Sequence, residues 1–85
     1  MAKLIPAAER IIRARAFIQQ ARNLPVPPES GPHDFAYIAN VKDLLRQARD
    51  LVKFISMTPS ATAEVKADVE RIYQEAKQAD REILG

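Results

Sequence analysis

The sequence predicts an all-α fold, a three-helix up-down-up bundle with a long antiparallel hairpin made by its second and third helices. Three observations carry this. Apolar residues recur at alternating steps of three and four in three separate stretches, the spacing that keeps one stripe of a helix facing a partner. Among 85 residues there are two glycines, three phenylalanines and two tyrosines, a composition that suits helices better than a sandwich or barrel. The six prolines sit near the expected ends of these stretches, where they open or stop a helix.

The first helix is expected over residues 6–24. Pro6 suits its first turn, because the N–H it lacks would have had no partner there. Its central stripe is Ala7, Ile11, Ala14, Ile18 and Ala21. Ile5, Ile12 and Ala16 extend the apolar surface to one side of that stripe, and Phe17 and Leu24 to the other, at about 100° per residue. A helix apolar over so much of its circumference is either buried among several neighbours or waiting for another chain, and a domain this small supplies few neighbours. The expected interaction surface is therefore Ile5, Ile12, Phe17 and Leu24, flanked by Arg13 and Arg15. Ile12 and Phe17 are expected to lack partners within the monomer, and the arginines to pair with acids such as Glu75 and Glu82 of a neighbouring subunit.

Residues 25–34 read as a stiff, extended connection, since each proline fixes φ and pushes the preceding residue out of the helical region. Asp34 is the expected N-cap of the second helix, and His33 beside it a solvated loop residue. That helix, residues 35–56, carries Ile38, Val41, Leu45, Ala48, Val52 and Ile55 on one stripe, widened by Tyr37, Leu44 and Leu51. Thr58 is the expected cap and Pro59 the first residue of the third helix, residues 59–84, with Val65, Val69, Ile72, Ala76, Ala79 and Ile83 on its stripe. So short a link makes helices two and three neighbours and their seam the expected core. The whole chain, residues 1–85, reads as one helical domain.

The net charge is +2 and the calculated pI about 9.2, too slight an imbalance to imply nucleic acid by itself. Charge is unevenly placed: residues 1–24 hold five bases against Glu9, while acids outnumber bases from residue 58 onward. With no cysteine, one histidine, no glycine-rich phosphate loop and no Glu-x-x-His pair, the chain offers no constellation for catalysis, and neither a cofactor nor a metal is expected. Asp68, Glu75 and Glu82 recur at seven-residue spacing, the pattern of a helix flank that faces bases on another helix.

These readings converge on a small non-catalytic protein-interaction or assembly module, self-associating through its first helix. The alternative is a nucleic-acid-binding accessory protein using Lys3, Arg10, Arg13, Arg15 and Arg22. On a helical wheel those bases divide into two flanks with apolar residues between, the pattern of arginines lying along the edges of an apolar interface, whereas a groove-reading helix presents one exposed strip. No apolar run reaches the roughly 18 residues of a membrane span, although the first helix has the character of a peripheral membrane contact. An Arg-rich, acid-poor start also resembles a transit peptide, but without it the other two helices would face water along an open seam. The expected location is the cytoplasm.

Overall fold

The computed structural model describes residues 6–55, 57–59 and 61–85. Among these residues there are three α-helices and no strand: α1 (Ala7–Asn23), α2 (Phe35–Val52) and α3 (Ala63–Leu84), with a 3₁₀ turn at Gly31–His33 between the first two. Each helix buries the middle of the stripe its periodicity marks, while Ala7, Val65 and Ile83 toward the helix ends are only partly buried. Ile11, Ala14, Ile18 and Ala21 of α1 meet Tyr37, Val41, Leu45, Ala48 and Val52 of α2 and Val69, Ile72, Ala76 and Ala79 of α3 in one core. Alanines at five of these positions remove side-chain bulk and let the helices approach closely. Tyr37 is buried where the stripe would have favoured Ile38, which stays half-buried.

The largest contact is between α1 and α2, and not along the α2–α3 seam that the sequence marks as the core. The reason lies beside the stripes. Phe17 of α1, Leu24 just after it, and Leu44 and Leu51 of α2 all pack against the core as half-buried residues, widening the apolar contact beyond the central rows.

The connections follow local chemistry. Gly31 adopts φ +71°, a left-handed conformation that costs glycine little, and its N–H donates to the Pro27 carbonyl at 2.8 Å, turning the chain toward α2. Asp34 then caps α2, its carboxylate accepting from the Tyr37 N–H at 3.0 Å. This bond, followed by that of Ser30, holds the Asp34 carboxyl below its ordinary pKa.

The second link departs from expectation. α2 ends at Val52 and α3 begins at Ala63, capped by Thr62, whose hydroxyl accepts from the Val65 N–H at 3.2 Å. Thr58 instead turns its hydroxyl back to the Phe54 carbonyl at 3.0 Å. Backbone bonds from Ile55 to Val52, Thr58 to Ile55 and Ala61 to Thr58 carry the chain through tight turns. Residues 59–62, Pro-Ser-Ala-Thr, offer a helix no large apolar side chain to bury, and serine and threonine compete for the backbone with their own hydroxyls. The helix therefore starts at the later cap.

The molecule is long and thin, 48 × 29 × 16 Å, with a radius of gyration of 14.5 Å against about 12 Å for a compact chain of this length. No helix among the described residues is long and apolar enough to cross a membrane.

Candidate interaction surface

α1 and α2 meet over a broad contact, and a groove of about 560 Å³ runs along it. Arg10, Arg13, Ala16, Phe17 and Gln20 line it from α1, and Gln47, Asp50 and Leu51 from α2. The α1 residues lie at steps of three and four, so they form one flank of the helix beside its buried stripe. Phe17 and Leu51 are the large apolar residues of the groove, both half-buried against the core. The wall from α1 carries positive charge and the wall from α2 carries Asp50. Arg10 reaches across to the Leu51 carbonyl, with its Nη1 at 3.5 Å. Gln47 is held by its own helix, donating from Nε2 to Asp43 at 2.8 Å.

The residues marked in the sequence are placed differently from one another. Ile12 is 63% exposed, as expected of an apolar residue with no partner in the monomer. Phe17 departs from that expectation: it is half-buried, because α2 packs on its side of α1 and provides the contact. Leu24 is also half-buried, at the extended residue that ends α1. Ile5 and Lys3 lie outside the described residues.

The arginines depart furthest from expectation. Arg15 meets Glu75 at 3.3 Å and Asp68 at 4.0 Å, and Arg22 pairs with Glu82, all within one chain. The acids expected to await a neighbouring subunit are thus taken by the protein's own first helix. Gln78 and then Arg22 hold the Glu82 carboxyl below its ordinary value by hydrogen bonding. Arg13 pairs with Glu9 one turn back at 3.2 Å, with both side chains about half exposed. Arg10 and Arg13 point to the α2 side, and Arg15 and Arg22 to the α3 side. The four described bases do not form one continuous exposed strip.

No protein-family model, curated protein or solved structure matches the chain. Among the described residues no cluster of histidine, cysteine and acids could hold a metal ion, and no buried side-chain polar atom lacks a partner.

Sequence reasoning missed the contribution of α2. Gln47 and Asp50 lie on the polar side of its wheel and Leu51 reads as core widening; only the packing of a helix some 30 to 40 residues away turns them into a groove wall. It also missed Phe35, 90% exposed at the first turn of α2, and Phe54 and Met57, exposed after its last. Phe54 is partly covered by Lys53, whose Nζ lies 5.4 Å from the ring centre.

Proposed function

We propose that this chain is a small, non-catalytic protein-interaction module that assembles with a second copy of itself through the groove between α1 and α2. The observation that carries the reading is the groove: half-buried Phe17 and Leu51 at its apolar centre, charged residues on its walls, and exposed Ile12 one helical turn from Ala16 at its edge. Interfaces are built this way, with aromatic and aliphatic anchors inside and charge at the rim.

Surface area supports it. The chain exposes 6052 Å² for a mass of 9.5 kDa, whereas a compact monomer of that mass exposes about 5000 Å². The surplus, about 1000 Å², is enough to supply the roughly 800 Å² that one partner contributes to an ordinary stable interface.

The scaffold of the proposal is an up-down-up bundle. Its support is the contact of Arg10, near the start of α1, with Leu51, near the end of α2, and the joint advance of the Arg15–Glu75 and Arg22–Glu82 pairs along α1 and α3.

Ala16→Glu tests the reading, because residue 16 is exposed and glutamate is a good helix former, so the fold survives while a charge enters the groove. Sedimentation equilibrium of the parent gives a mass above that of one chain and of the variant gives one chain, with equal helix content by circular dichroism. A parent that sediments as a monomer at every concentration overturns the proposal.

A further inference from the structure

The groove is not symmetric in charge, and that asymmetry selects how two copies meet. Its α1 wall carries Arg10 and Arg13 and its α2 wall carries Asp50. Two grooves face one another in two simple ways. A two-fold axis running across the groove lays α1 over α1 and brings Arg13 toward Arg13. A two-fold axis running along the groove lays α1 of each copy over α2 of the other, which brings cationic wall to acidic wall twice. Like charges placed opposite one another suppress the first arrangement, and opposite charges favour the second.

We infer that the groove receives the same groove of a second copy about a two-fold axis running along it, so that Arg13 of each copy faces Asp50 of the other. This rests on the self-association proposed above and adds its geometry. Position supports the pairing: Arg13 is one turn from Arg10 and Asp50 adjoins Leu51, and Arg10 already touches the Leu51 carbonyl, so both charged residues lie within about one turn of a single level. Arg13 is able to turn to such a partner because its pair with Glu9 is half exposed and on its own helix, an interaction worth little in water. Phe17, Ala16 and Leu51 of the two copies then close over one another at the centre. Arg15 and Arg22 stay on the far side with Glu75 and Glu82, outside the interface.

A charge swap tests this. Arg13→Glu and Asp50→Arg are prepared as separate proteins, with helix content checked by circular dichroism. In the inferred geometry each variant alone sets like charges against one another twice, and its self-association weakens about tenfold or more. Mixed in equal amounts, one copy of each restores both opposite-charge contacts, so native mass spectrometry shows the heterodimer dominating both homodimers. A parent dimer whose two variants self-associate as well as it does, or mix without preference, overturns the geometry and leaves self-association standing. The double variant Arg13→Glu/Asp50→Arg in one chain separates the two axes. In the inferred geometry it regains self-association, and failure to regain it overturns the geometry, since across the groove residues 13 and 50 would each still face their own like charge. A monomeric parent overturns the self-association on which the inference rests.

Discussion

The Arg22 guanidinium is paired with the Glu82 carboxylate across the seam between α1 and α3, and Arg15 repeats the arrangement one heptad earlier with Glu75. These pairs tie the first helix to the third from within one chain. They leave the opposite flank of α1, where Arg13, Ala16 and Phe17 lie, as the flank that borders the groove.

Glu82 makes acid stability testable. Its carboxyl is held below the ordinary value by the Gln78 amide and then by Arg22, so the folded state favours the ionised form. A carboxyl lowered by folding contributes stability at pH above its unfolded value, and the contribution is lost as pH falls through the folded value. The melting temperature should therefore drop below about pH 4.5, and Glu82→Gln should flatten part of that drop while changing little in acid. A variant that keeps the full parental pH dependence would show that the pair does not hold in solution.

Leu45 and Ile72 are fully buried at the centre of the core. Replacing either with alanine is expected to cost about 2 to 5 kcal/mol, read by urea unfolding. A loss below about 1 kcal/mol at both positions would contradict this packing.

The start of α3 separates two readings of the same segment. Thr62→Ala removes the hydroxyl that accepts from Val65 and is expected to cost about 1 kcal/mol. Thr58→Ala removes only an exposed bond to the Phe54 carbonyl and should cost clearly less. The reverse order in thermal or urea unfolding would place the cap at Thr58.

The placement of the bases bears on nucleic acid. Arg13, Arg15 and Arg22 each have an acid beside them, and they are divided between two sides of α1. Fluorescence anisotropy with mixed duplex and single-stranded DNA and RNA is expected to show no binding at physiological salt. Tight binding with a steep salt slope would instead mark these bases as phosphate contacts.

The helices were legible because burial imposes a period on each of them: Ile11, Ala14, Ile18 and Ala21 are the buried residues of α1, and all four lie on the stripe the spacing marks. The cap at Asp34 was legible because one short acid stands beside one helix start. The start of α3 was not, since Thr58, Ser60 and Thr62 all have capping chemistry and the choice among them falls to where apolar burial begins. Arg15 and Glu75 were each visible as flank charges. That they meet within one chain depends on how α1 rotates against α3, and periodicity along one helix does not encode the rotation of another. The groove was invisible for the same reason, because Phe17 and Leu51 become neighbours only when α1 and α2 pack.

The central claim, that two copies meet through this groove, is tested most directly by isotope-filtered nuclear Overhauser spectroscopy on an equal mixture of labelled and unlabelled protein. Only contacts between copies are observed. Cross-peaks are predicted from the Ala16 methyl and the Phe17 ring of one copy to the Leu51 methyls of the other. Cross-peaks confined to the outer face of α3, around Lys77 and Gln74, or none at all from a protein that sediments as a dimer, would contradict it.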